Sequence, residues 1–136
     1  WDLFDRLYNA DLANGLGNYI ARVAKLCEQS GFTVTEEQEK KEHNAPDYDL
    51  YINNLDFFNA LGVANHYIRD HDIKLNQDKP WEIKDKKELK KALKYYVEGL
   101  IATTKLFRPF LPETAEKILK QFSGPIKSSS PLFPRI

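Results

Sequence analysis

Near the start of the chain, Asp11, Asn14, Asn18 and Arg22 follow one another at steps of three or four, with Asn9 just before them. On a helix those steps put all four on one line. The residues between them are mostly apolar or small. An asparagine amide carries two donors and an acceptor, and an arginine presents a rigid fork of donors. Asn18 and Arg22, one turn apart, therefore have the chemistry to read a nucleobase edge or to hold a phosphate. The alternative is a solvated helix face. Asparagine is a mediocre helix former, however, and a plain surface has little use for three in so short a stretch.

A second group lies in "LNQDKPWEI", where Trp81 follows Pro80; the chain's other tryptophan is Trp1. A tryptophan placed after a helix breaker either locks a helix start by packing or stands in solvent as a stacking platform for unpaired bases, worth about 1–3 kcal/mol per base. Downstream, "KDKKELKKALK" crowds Lys84, Lys86, Lys87, Lys90, Lys91 and Lys94 together, with Asp85 and Glu88 between them. Such a run is either a solvated helix face or a track for phosphates. Lys25, Lys79 and Lys84 are candidate phosphate contacts by neighbourhood alone, and Asn14 and Pro80 join the candidate site by adjacency.

Other chemistry is thin. His43, His66 and His71 are scattered, and "HYIRDHD" matches no helical zinc spacing, so no metal site is expected and solvated surface is the simpler reading of these histidines. Cys27 falls on an apolar stripe and reads as a small core residue rather than a nucleophile. The chain carries neither a phosphate-binding Gly-x-x-x-x-Gly-Lys loop nor a Gly-x-Ser-x-Gly elbow, and no residue is expected to be catalytic.

The elements that must position these groups are helices. Leu3, Phe4, Leu7, Tyr8, Leu12, Leu16, Ile20, Val23 and Cys27 predict an amphipathic first helix from Asp2, its cap, to about Gln29, stopped by Gly31. Gly15 and Gly17 weaken its middle, either for close approach of another backbone or as a tolerated defect. The acidic stretch "TVTEEQEKKEHNAPDYD" predicts a loop with at most a turn of helix. Pro46 suits the start of a second helix with an apolar face of Leu50, Tyr51, Leu55, Phe58, Leu61, Ala64 and Ile68, fading within "RDHDIKLNQDKP". Asp85 caps a third helix ending at Pro109, with Leu89, Ala92, Leu93, Tyr96, Val97, Leu100, Ile101, Thr104 and Phe107 inside. Pro112 opens a fourth that stops at Gly124. No useful length shows strand alternation. The expected fold is an all-α antiparallel helix bundle, one domain over 1–136, with the bundle in 1–122. An extended tail in 123–136 is pinned by Leu132, Phe133 and Ile136.

Composition narrows the class. With 136 residues the chain suits one domain with a proper core. Its formal net charge is zero, so any nucleic-acid contact must rest on a local patch rather than on overall attraction. A single cysteine rules out an internal disulfide and fits a reducing, cytoplasmic setting. No apolar run has the length of a membrane span. The absence of methionine, and a first residue already inside a helix pattern, favour a segment of a longer protein.

"YNADLANGLGNYIARV", "KPWEI", "LFRPFLPETAEKILKQF" and "PLFPRI" occur in this order over nearly the whole chain. Together they resemble the C-terminal anticodon-binding domain of methionyl-tRNA synthetases, which are class I synthetases. The resemblance implies that Asn18, Arg22 and Trp81 recognise the anticodon CAU, chiefly its first base, cytosine. The partners it implies are methionine-specific tRNA and a catalytic domain in the same chain. The parent enzyme would join methionine to tRNA using ATP and magnesium. The catalytic signatures of that family are absent here, so no cofactor is expected in this segment. One departure stands out. In the family Asn-x-Tyr-Ile lies close to the Pro-Trp, whereas here "NHYI" is separated from it by "RDHDIKLNQD". That implies an insertion or an extra turn or two of helix, and Asp70, Asp72 and Asn76 compete for the acidic position that precedes the Pro-Trp. Two alternatives remain: the equivalent domain of an isoleucine, valine, leucine or cysteine synthetase, or a helical scaffold that binds protein through Trp81 and the lysines.

Overall fold

The structure is a computed structural model that describes residues 15–126. Asp2, Asp11, Asn14, Leu132, Phe133 and Ile136 lie outside the described residues, as do the first turns of the expected first helix.

Helix α1 spans Gly17–Ser30, after a wide turn at Gly15 and Leu16. It buries Tyr19, Ile20, Val23, Ala24 and Cys27, a stripe with the periodicity of one helix face. Among the described residues, nothing lies within 4 Å of where a Cβ on Gly15 would be. Gly31 ends the helix at φ +72°, a conformation glycine adopts without penalty, and the Phe32 amide then donates to the Cys27 carbonyl at 3.0 Å.

The acidic stretch is more ordered than its composition suggests. Strand β1, Thr33–Val34, pairs antiparallel with β2, Gly124–Pro125, an element too short to leave an alternating pattern. Between them in sequence, helix α2, Glu36–Glu39, is held by a reciprocal cap. The Gln38 amide donates to Thr35 Oγ1 at 3.3 Å, and the Thr35 amide donates to Gln38 Oε1 at 3.0 Å.

The expected second helix is two helices. Helix α3 spans Pro46–Asn53 and α4 spans Phe57–Asp78. Leu55 between them adopts φ +59°, and Asp56 caps α4 by accepting from the Asn59 amide at 3.3 Å. The break turns three expected core residues outward: Leu50, Leu55 and Phe58 are 57%, 73% and 61% exposed. Their spacing imitates one continuous face, but a face continues only if the helix does. Ala64 and Ile68 are buried as expected, and Tyr48, Ala60 and Leu75 carry the rest of the burial. Helix α4 does not fade after Ile68. The extra residues form further helical turns and bury Leu75.

Lys79 stops α4 in the left-handed region, φ +47°, which resolves the clash that Pro80 would impose on a helical neighbour. Pro80–Glu82 form one 3-10 turn. Helix α5, Lys86–Phe107, starts on the expected cap: Asp85 Oδ1 accepts from the Lys87 and Glu88 amides at 2.8 and 3.4 Å. Helix α6 spans Pro112–Gln121. Helices α4 and α5 run antiparallel, since Asp78 meets Tyr96, His71 meets Gly99, and His43, stacked on Tyr67, meets Thr103. The core lies along α5, whose Leu93, Tyr96, Val97, Leu100, Ile101, Leu106 and Phe107 are buried against the other helices. The fold is an all-α helical bundle with one minimal two-stranded sheet.

Candidate nucleic-acid interface

Three elements meet at one end of the bundle: the middle of α1, the last turns of α4 and the Pro80–Glu82 turn. The Arg22 guanidinium leaves α1 and reaches across to α4. One terminal nitrogen donates to Asp72 Oδ1 at 3.0 Å, and the other donates to Asn76 Oδ1 at 2.7 Å. The guanidinium carbon lies 5.7 Å from the centroid of the Trp81 ring. Two acceptors and a ring thus fix a side chain that would otherwise sample many rotamers. An exposed cation–π contact adds about 0.5–1 kcal/mol. The Arg22–Asp72 pair keeps 38% and 40% of its side-chain surface in solvent, so the pair itself stabilises the fold by at most about 1 kcal/mol.

Trp81 keeps 49% of its surface exposed, while Pro80 beside it is buried. The proline is the anchor and the indole stands out from it. Asn18 is exposed on α1 one turn before Arg22, and Lys25 is exposed three residues after it. Lys79 and Lys84 are exposed on either side of the turn. Asn14 lies outside the described residues.

Of the three side chains competing for the position before the Pro-Trp, Asp72 and Asn76 both reach Arg22, and Asp70 does not. Asp70 is on the other side of α4, 3.2 Å from His66 of the same helix. The signal was present in sequence as a four-residue step between Asp72 and Asn76, legible only if the helix is known to continue past Ile68.

Beneath this end the packing is polar and satisfied. The Tyr96 hydroxyl donates to Asp78 Oδ2 at 2.6 Å, and Lys74 lies 3.0 Å from the same oxygen. The Tyr96 hydrogen bond, and then Lys74, hold the Asp78 carboxyl below its usual range. Burial, and then Asp78, push the Tyr96 phenol up.

The histidines differ from the solvated surface expected of them. His66 is exposed, but His43 and His71 belong to an aromatic seam between α4 and α5. His43 stacks on Tyr67 at 4.0 Å and bonds Thr103 Oγ1 at 2.8 Å; His71 stacks on Tyr95 at 5.7 Å. Cys27 is fully buried, and burial pushes its thiol up to about 12.

Curated relatives found by sequence comparison are methionine–tRNA ligases. That of Mycoplasma genitalium is 24% identical over 135 residues, covering 89% of this chain and 26% of the relative. That of Kineococcus radiotolerans is 26% identical over 147 residues, covering 97% and 24%. That of Bifidobacterium longum is 25% identical over 137 residues, covering 91% and 22%. The chain is similar to methionine–tRNA ligases. It spans about a quarter of the length of the ligases it matches. No protein-family profile matches the chain, and no solved structure matches it. Among the described residues no helix is long and apolar enough to cross a membrane.

Proposed function

We propose that this chain is the anticodon-binding domain of a methionine–tRNA ligase and that it reads the first base of CAU at Trp81. The observation that carries the reading is Arg22, forked onto Asp72 and Asn76 and laid against the Trp81 ring. The cytosine leaves its stack and lies on the indole, as unpaired bases do on aromatic platforms. Arg22 spends a donor on each acceptor of α4 and keeps others of its five for the base. Cytosine offers O2 and N3 as acceptors, which suits donors from Arg22 and Asn18. Uracil carries a proton on N3, which would set donor against donor. A site that leaves buried donors unpaired with the wrong base discriminates strongly.

Lys25, Lys79 and Lys84 surround this platform and would meet backbone phosphates. The parent enzyme would carry the catalytic domain in the same chain and join methionine to tRNA. ATP and magnesium would act there, away from the residues of this bundle.

The test is a titration of the full chain with an anticodon stem-loop bearing CAU and with variants of its first base. A preference for cytosine is expected, and Trp81→Phe should retain part of it. Equal affinity for all four first bases would sink the methionine reading and favour a related synthetase.

A further inference from the structure

The lysine run that follows Lys84 is left unused by the reading above. Lys86, Lys87, Lys90, Lys91 and Lys94 all lie on α5 and all are exposed. At 100° per residue they fall within one side of the helix, and Lys86, Lys90 and Lys94 form a row at about 6 Å per step. Steps of that size are comparable to the distance between successive phosphates of a nucleic-acid strand. Of these five lysines only Lys91 meets a carboxylate among the described ion pairs, Glu88 at 3.9 Å. The row begins four residues after the Trp81 turn, so the platform and the stripe follow one another along the chain.

Charge is also divided along the molecule. Residues 79–94 hold seven lysines against three carboxylates, and residues 36–49 hold six carboxylates against two lysines. The acidic segment packs on the far half of α5, where Lys105 Nζ donates to the Glu39 carbonyl at 2.9 Å and the Tyr48 hydroxyl donates to the Leu106 carbonyl at 2.6 Å. Among the described residues, a lysine-rich segment thus opens α5 and an acidic segment packs beside its other half. Such a division orients an approaching polyanion without attracting it from far away.

We propose that the lysine face of α5 is a phosphate track that holds the RNA strand continuing from the base on Trp81. This rests on the reading of Trp81 as a base platform. The track carries no sequence information; it adds affinity, and the platform adds selectivity.

The experiment compares three forms of the full chain with the CAU stem-loop and its first-base variants across a series of KCl concentrations. One form is unchanged. The second carries Lys86→Gln, Lys90→Gln and Lys94→Gln. The third carries Lys40→Gln, Lys41→Gln and Lys117→Gln, the same charge change on exposed positions elsewhere. The second form should lose about tenfold in affinity at 0.1 M salt, equally for every first base, with a salt dependence flatter by about two units of slope. The third should match the unchanged form. If the second form keeps its affinity and salt slope while cytosine is still preferred, the track is wrong and the platform stands. If the second and third forms lose affinity equally, net charge rather than the stripe is responsible and the track is overturned. If the unchanged chain shows no preference among first bases, the platform reading falls, whereas a selective loss in the second form still upholds the stripe as an RNA surface. No binding of any stem-loop overturns both.

Discussion

Helix α4 carries two aromatic clusters within about one turn of each other, and they have opposite fates. At His71 the rings pack on one another, although Tyr95 keeps 46% of its surface exposed: His43 against Tyr67, His71 against Tyr95, and the buried Tyr19 edge-on to His71 at 6.1 Å. At Asp72 and Asn76 an arginine and an indole remain half in water. Adjacent residues, His71 and Asp72, point to the two clusters because a step of one turns 100° around a helix. The inner cluster spends its polar atoms inside the fold: His43 on Thr103, and His71 Nδ1 on the Tyr67 carbonyl at 2.8 Å. The outer one keeps donors in hand. A ring beside a cation is thus a core feature or a site depending on whether its hydrogen-bonding capacity is used up.

The sharpest way to break the inner cluster alone is at Gly99. A Cβ there would overlap the His71 imidazole, which the Tyr67 carbonyl and the Tyr95 ring hold in place. Gly99→Val should destabilise the fold by about 3 kcal/mol through overpacking. Chemical denaturation measures it, and removing the obstacle with His71→Ala in the same chain should restore part of the loss. Unchanged stability in Gly99→Val would mean that α4 and α5 are not pressed together there.

The outer cluster should answer differently. Trp81→Ala should weaken binding of the CAU stem-loop by about 2 kcal/mol, roughly 30-fold, with little change in melting temperature. Asp72→Ala should act on selectivity instead, because it frees Arg22 from one of its two acceptors. The preference for cytosine should shrink about fivefold, an effect near 1 kcal/mol, while stability changes by less than that. A large fall in melting temperature for Trp81→Ala would place the indole with the core, and the contrast between the clusters would collapse.

The two clusters were unequally legible in the sequence. Asn18 and Arg22 stood out as part of a polar line at helical steps and Trp81 as a tryptophan after a proline, but only the family resemblance joined them; the structure brings Arg22 and Trp81 together. Capping residues placed α5 and α6 correctly, since Asp85 and Pro112 act locally. The inner cluster was invisible. Histidine has no strong preference for burial, and His43 comes from a loop 24 residues before its stacking partner Tyr67 in sequence. The α3–α4 break was missed for a related reason. Leu50, Leu55 and Phe58 are spaced as a core face, and the left-handed turn at Leu55 leaves no glycine or asparagine at that position to announce it. Asp72 and Asn76 were named as candidates, but choosing between them and Asp70 required the length of α4.

Acid separates the clusters with the smallest effect. Burial, and then the neighbouring His71, lower the affinity of His43 for a proton in the folded chain. The unfolded chain, with an ordinary histidine value near 6.5, therefore takes up that proton first. Stability from this group is complete above about pH 6.5 and is lost as the pH falls from there through the lower folded value. Asp78 works in a separate window. Its folded value is also depressed, so its contribution is complete above the ordinary carboxylate value of 3.8 and is lost only in stronger acid. Melting temperature followed from pH 7.5 to 5 should begin to decline below about 6.5. His43→Asn, whose amide can still meet the Thr103 hydroxyl, should flatten that part of the curve and, in a scan carried on to pH 3, leave the decline below pH 4 in place. Cytosine preference over the same pH range should be equal in the two chains, since His43 touches neither Arg22 nor Trp81 in the structure's described contacts. A matching loss of preference would show that the seam and the site move together, and the division drawn along α4 would have to be given up.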